Sequence, residues 1–153
     1  MPSPTESLRK LGYELPEVPT PAGSYLPAVR SGNLVFTAGQ LPFENGKLRK
    51  TGKVGDAVSA EEAAAAAHIC ALNALAAAAA ESGGLDGIRR VVKVTGFVAS
   101  APGFNAQPRV LNGASDFIGE VFGEAGLHAR SAVGVAELPL DSPVEVEIIV
   151  EVS

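Results

Sequence analysis

The chain has no tryptophan, one cysteine, two histidines and only 5% aromatic residues. A single thiol, Cys70, cannot form an internal disulfide. His68 lies two positions away, which on a helix turns its imidazole from the sulfur. Cys70 therefore reads as a small buried apolar residue rather than a nucleophile. Two histidines with no carboxylate–histidine cluster at ligand spacing give no reason to expect zinc or iron. Scarce aromatics leave Val, Ile, Leu and Ala to build the core. Basic runs are also missing. The net charge is −5 and the pI is near 5.0. The densest basic group, Arg89, Arg90 and Lys93, reads as the solvated edge of a strand, so a nucleic-acid partner is not expected. No apolar run approaches the roughly 20 residues that cross a bilayer. The first 21 residues are polar and proline-rich, without an apolar signal core. The expectation is a cytoplasmic protein with no membrane partner. No nucleophile elbow, P-loop or dinucleotide fingerprint occurs, and Gly83, Gly84 and Gly87 read as a helix stop and a turn.

What is present is a globular balance, 46% hydrophobic and 19% charged over 153 residues. Residues 1–21 read as an N-terminal arm, with Pro16, Pro19 and Pro21 opposing regular structure. Residues 22–153 read as one domain. Two short apolar runs, 25–30 and 34–38, flank Ser31-Gly32-Asn33 and predict a β-hairpin. Asn45-Gly46 marks a second turn with weak strands beside it. Ser59 and Glu62 have the spacing of a capping box, opening an alanine-rich helix that runs to about residue 82. Ile69, Leu72, Leu75 and Ala76 give that helix one apolar stripe. Valine-rich residues 90–100 predict a strand, and Pro108 suits the first turn of a second helix reaching about residue 122. Residues 130–136 and 144–152 predict two last strands, read as a closing hairpin. The fold class is α+β: a mixed sheet of about six strands with two helices on one face.

Side chains alternate along a strand. In the first of the closing strands Val133 and Val135 share one side, and Arg130, Ala132, Gly134 and Ala136 the other. The valine side is expected to meet the helices. The nearly bare opposite side must be covered, and self-association is the simplest cover. Arg130 is the one long polar side chain in that apolar strand, suited to bidentate binding of a carboxylate. Glu145 stands near the start of the following strand. From spacing alone, an edge ion pair between Arg130 and Glu145, or a surface arginine, is the better reading. Taken singly, Tyr25 reads as a packing residue, Gln40 as a turn residue and Asn112 as a polar residue on a helix surface.

Several segments together resemble the reactive-intermediate deaminase (Rid, or YjgF-like) family. Ala22-Gly23-Ser24-Tyr25 followed by Phe36-Thr37-Ala38-Gly39-Gln40-Leu41-Pro42 resembles the family opening, a Gly-x-Tyr before a strand ending in Ser-Gly-Gln-x-Pro. Ala71 to Leu75 resembles the first helix and Val91 to Val98 the central strand. Most specific are Ala129-Arg130-Ser131-Ala132-Val133, then Leu138-Pro139, then Val144-Glu145-Val146-Glu147. Residues 105–122 look like the longer-loop subgroup. The resemblance spans residues 22–152 and implies a chorismate-mutase-like fold and a homotrimer with clefts between subunits. It further implies hydrolysis of 2-imino acids to 2-keto acids and ammonia, with no metal or organic cofactor. On that resemblance Arg130 anchors the substrate carboxylate and Glu145 positions or activates the water. Tyr25, Ala38, Gln40, Asn112 and Ala132 would line the cleft. Two departures stand out: Ala38 replaces the family serine, and Ala132 the small thiol two positions after the arginine. A carboxylate-binding module without turnover is the alternative. Ribonuclease activity, a label attached to relatives, is opposed by the acidic charge.

Overall fold

The computed structural model describes every residue except Met1, Pro19 and Ala22, so the readings that rest on Pro19 and on Ala22 lie outside the described residues. Five strands form the main sheet: β1 (Ala28–Ser31), β2 (Leu34–Thr37), β5 (Ile88–Ala99), β6 (Ala129–Val135) and β7 (Val144–Val152). Their order across the sheet is β1-β2-β7-β5-β6. A separate two-stranded ribbon, β3 (Phe43–Glu44) and β4 (Lys47–Leu48), turns at Asn45-Gly46 with both residues at positive φ. Helices α2 (Ala60–Ala80) and α3 (Gln107–Phe122) pack on one sheet face. The fold is α+β, a mixed sheet covered on one face by helices.

β7 shows why the sheet has two unlike faces. Val144, Val146, Ile148, Val150 and Val152 are all buried against the helices. Glu145, Glu147, Ile149 and Glu151 alternate with them onto the other face, where no second layer lies among the described residues. Val29, Phe36 and Val133 stay 50%, 41% and 45% exposed, far more than core residues allow. β5 keeps its valines inward by slipping register twice, between Ile88 and Arg90 and between Val91 and Lys93. Those bulges let Val91 and Val94 both face the helices although three positions apart.

Three expectations are corrected. First, β6 and β7 do not form a hairpin. β6 pairs in parallel with β5, by a crossover through α3, and β5 separates it from β7. The connection from 136 to 143 carries two prolines and two residues at positive φ, Leu140 and Asp141, and it passes the end of β5 instead of folding back. Glu145 therefore lies opposite Phe97, whose other neighbour is Val133, while Arg130 lies opposite Val94. The edge ion pair between Arg130 and Glu145 does not form. Second, the faces of β6 are reversed. Arg130, Ala132 and Gly134 sit beside Val94, Gly96 and Val98 on the helix side, and Val133 faces outward. Small residues are needed there because α3 crosses closely: a Cβ on Gly96 would meet Leu111 at 2.1 Å. Third, the N-terminal segment holds a helix, α1 (Pro4–Lys10), capped by reciprocal Ser3 and Glu6 contacts. It packs on α3, burying Leu8, with Tyr13, Leu15 and Val18 beside it.

The long helix begins at its capping box as expected, with Ser59 and Glu62 each bonding the other's backbone N–H. Lys50 also reaches Glu62 at 2.7 Å, and this contact first, with the Ser59 N–H second, holds the Glu62 carboxyl down at about 2. α2 departs from a single stripe: every residue from Cys70 to Ala79 is buried. By length and hydropathy alone this helix would pass for a membrane span, but 67% of its apolar window is buried inside the fold. It packs instead on the sheet, side by side with α3. The contact with α3 is closest at Gly113, where a Cβ would stand 2.0 Å from the Ala64 carbonyl oxygen.

Candidate functional site

Arg130 starts at the free edge of the sheet and lays its side chain across α3. Its Nη1 donates to Asn112 Oδ1 at 2.9 Å and to Ser115 Oγ at 3.1 Å, and its Nη2 donates to the Pro108 carbonyl at 3.2 Å. Pro108 sits in the first turn of α3, so its carbonyl and the side chains one and two turns later form one stripe along the helix. That stripe fixes the plane of the guanidinium. Arg130 is half-buried, and none of the ion pairs among the described residues uses it. Two of its five N–H donors remain for another acceptor.

The same cleft, about 570 Å³, is lined by Ser115, Asp116, Glu120 and His128 as well as Asn112 and Arg130. His128 Nδ1 is 2.6 Å from the Gly126 carbonyl, and its Nε2 is 2.9 Å from Ser115 Oγ. A carbonyl only accepts, so Nδ1 carries a proton. Sequence reasoning passed over Ser115 and His128. One signal for them was available, since His128 precedes Arg130 by two positions on an extended chain and so shares its side.

A second cleft, about 520 Å³, gathers Tyr25, Ala38, Gly39, Gln40, Pro139, Leu140 and Glu145. Gln40 is buried and bridges to β7 through backbone bonds with Val146 in both directions. Its side chain turns back to the Ala38 carbonyl at 3.3 Å. Asn73 of α2 supports this segment, donating to the carbonyls of Leu41 and Phe43 at 3.0 Å each. Gly39 has no Cβ because the Glu145 carboxylate occupies that space: a Cβ would come within 2.1 Å of Oε2. Burial first, and Glu147 second, push the Glu145 carboxyl above the ordinary range. Cys70 lies behind it, fully buried, its thiol bonded to the Val144 carbonyl and its pKa driven well up by burial.

The structure thus brings Arg130 together with Asn112, and Tyr25 together with Ala38, Gln40 and Glu145. It does not bring the two groups together within one chain. Ala132 lines neither cleft; it packs on the core beside Gly96. No group of three His, Cys, Asp or Glu side chains placed to hold a metal ion occurs among the described residues.

Residues 6–152 match the family model described as "YjgF/chorismate_mutase-like, putative endoribonuclease". The chain belongs to the YjgF/chorismate-mutase-like family. Protein TCP17 of Trypanosoma cruzi is 45% identical over 148 residues, 96% of this chain and 92% of that relative. A 2-iminobutanoate/2-iminopropanoate deaminase of Dermatophagoides farinae is 34% identical over 88% of this chain and 91% of its own length. Among solved YjgF-like structures, Atu1372 from Agrobacterium tumefaciens, of unknown function, is 47% identical with a TM-score of 0.89, covering 99% of this chain and 94% of that one. E. coli TdcF with bound serine is 26% identical with a TM-score of 0.66, covering 90% of this chain and 94% of that one. The YjgF-like relatives of this chain therefore include one named as an imine deaminase and one solved with serine bound.

Proposed function

We propose that this YjgF-like protein is a cytoplasmic deaminase hydrolysing small 2-imino acids to 2-keto acids and ammonia, at a cleft completed between neighbouring copies of a homotrimer. The observation that carries the reading is the Arg130 guanidinium, fixed in plane by α3 and given no carboxylate partner among the described residues. A bidentate carboxylate is the ligand such a fork matches best. Tyr25, Ala38, Gln40 and Glu145 supply the other wall from a second copy, whose open sheet face carries the exposed Val29, Phe36 and Val133.

An iminium carbon is already electrophilic, so the protein's work is placement and proton transfer. Glu145 takes a proton from water as the new C–O bond forms and the C=N π electrons move to nitrogen. It returns that proton to the nitrogen, then takes the hydroxyl proton as the C–N bond breaks and the carbonyl forms; ammonia leaves and carries off that proton as ammonium. Burial that raises the Glu145 pKa makes it a stronger base for the first step. The test is keto-acid or ammonia release from 2-iminobutanoate generated in situ. Arg130→Ala is expected to lose the acceleration, and equal rates for variant and wild type refute the proposal.

One observation favours a second reading, binding without turnover. Ala38 lines the Glu145 cleft with a methyl group where the family serine would offer a hydroxyl. Calorimetric binding of 2-oxobutanoate with no acceleration of imine decay would select that reading.

A further inference from the structure

Arg130 does not reach its hydrogen-bond partners alone. Ser115 Oγ accepts from Arg130 Nη1, and one hydroxyl hydrogen remains to be placed. The acceptor beside it among the described residues is His128 Nε2, which is bare because Nδ1 holds the proton bonded to the Gly126 carbonyl. All directions are then fixed: Arg130 donates to Ser115, Ser115 donates to His128, and His128 donates to backbone. The Gly126–His128 turn is itself held, because Arg90 Nη2 donates to the Leu127 carbonyl at 3.0 Å. The cleft that contains Arg130 is thus backed by an imidazole whose protonation state decides which way a serine hydroxyl points.

We propose that Ser115 and His128 are positioning residues for Arg130, and that protonation of His128 turns the site into a stronger receptor for carboxylates. The proposal rests on the reading of Arg130 as a carboxylate anchor. Protonated His128 donates from both nitrogens. Ser115 Oγ then accepts from Nε2 and Nη1 together, and its own hydrogen must swing away from the ring into the cleft that Ser115 lines. A bound anion gains one donor and one positive charge. The charged groups around His128 are Asp116 and Glu120 of α3, Glu124 in the turn before it, Arg90 on β5 and Arg130. Imidazole is the side chain whose ordinary pKa falls between pH 5.5 and 8, whereas carboxylates ordinarily titrate below that window.

The experiment measures the Kd of 2-oxobutanoate by calorimetry from pH 8 to 5.5 on the full chain, with folding checked by circular dichroism. Wild type is expected to bind about threefold or more tightly at the acid end. His128→Gln can place an acceptor near the Nε2 position without titrating, so its affinity at pH 8 stays close to wild type and its profile is flat. His128→Asn reaches Gly126 but not Ser115, and Ser115→Ala removes the link. Each weakens binding by about tenfold, and the double variant is no worse than either single one. A flat wild-type profile, or a His128→Gln profile with the wild-type slope, overturns the inference. Nitrogen NMR of His128 adds a readout that needs no variant: a neutral ring protonated on Nε2 instead of Nδ1 also overturns it. Arg130→Ala separates the two levels. If it binds like wild type, the anchor reading fails. If it alone loses binding while the His128 and Ser115 variants behave as wild type, only the positioning role fails.

Discussion

Two glycines on α3 invite the same substitution with opposite outcomes. At Gly113 a Cβ would stand 2.0 Å from the Ala64 carbonyl oxygen, well inside the 3.0 Å that real Cβ atoms respect. The obstacle is backbone, so α3 must move away from α2 by about 1 Å, and strain of that kind costs about 1–3 kcal/mol or more. Alanine is worth about 1 kcal/mol over glycine in a helix interior, which offsets only part of the strain. A backbone clash puts the strain at the upper end of that range, so Gly113→Ala is expected to destabilise by about 2 kcal/mol net, a fall in Tm of roughly 4–8 °C for a chain of this size. At Gly119 a Cβ meets nothing within 4 Å. Gly119→Ala is expected to gain about 0.5–1 kcal/mol, a rise of roughly 1–4 °C. Calorimetric melts at pH 7 read both. The site supplies a second readout, because Asn112 and Ser115 flank Gly113 and hold Arg130. A displaced α3 loosens both, so carboxylate affinity falls in Gly113→Ala. If Gly113→Ala melts at or above wild type, the account of the α2–α3 contact is wrong.

Gly39→Ala forces the Glu145 carboxylate aside, but the obstacle is the end of a flexible side chain and Gly39 is not at positive φ. Stability is expected to change by less than about 0.5 kcal/mol, while imine turnover drops at least tenfold and 2-oxobutanoate affinity stays near wild type; unchanged turnover would remove Glu145 from the mechanism. His68 stacks on Phe117 at 4.1 Å and lies 5.0 Å from Tyr13, with Nε2 buried and without a hydrogen-bond partner among the described residues. Burial lowers its pKa, and Glu120 opposes that. The unfolded chain thus takes up a proton near the ordinary value of 6.5, and the folded chain resists it, so stability is lost as pH falls below that value. His68→Phe is expected to add about 1 kcal/mol at pH 7 and to reduce the loss of stability between pH 7 and 5 in urea titrations; an unchanged slope would place the acid sensitivity elsewhere.

Local chemistry was legible in the sequence, and long-range pairing was not. Ser59 and Glu62 marked the start of α2, Pro108 the start of α3, and Asn45-Gly46 the ribbon turn, because each acts through bonds a few residues long. The capping box of Ser3 and Glu6 has the same form and was overlooked beneath the prolines that follow it. The partner of β6 was misjudged for a different reason. Consecutive strands usually neighbour one another, about two times in three, but here β5 intervenes, paired with β6 through a crossover helix. That assignment sets Arg130 beside Glu145, whereas the reversed faces of β6 come from taking its valines as the core side, where α3 in fact crosses too closely for anything but small residues. Period-two reasoning also had no means of finding the two register slips in β5. Among site residues, Arg130 stood out as an isolated charge in an apolar strand. Ser115 and His128 did not, because a serine on a helix and a histidine before a strand gain meaning only when α3 folds across the sheet edge.

The separation of Arg130 from Glu145 within one chain has a chemical consequence under the proposed function. Adjacent in one strand pair, a guanidinium and a half-buried carboxylate would satisfy each other, and each would shield the other from a substrate. The Glu145 pKa would fall rather than rise, as it does beside any fixed positive charge. Instead burial and Glu147 raise it, and Arg130 keeps two donors for an incoming acceptor. Placing the anchor on one copy and the base on its neighbour keeps both groups available. The substrate carboxylate then occupies the guanidinium, so that the only acid–base partner left to Glu145 is the water beside the imine carbon.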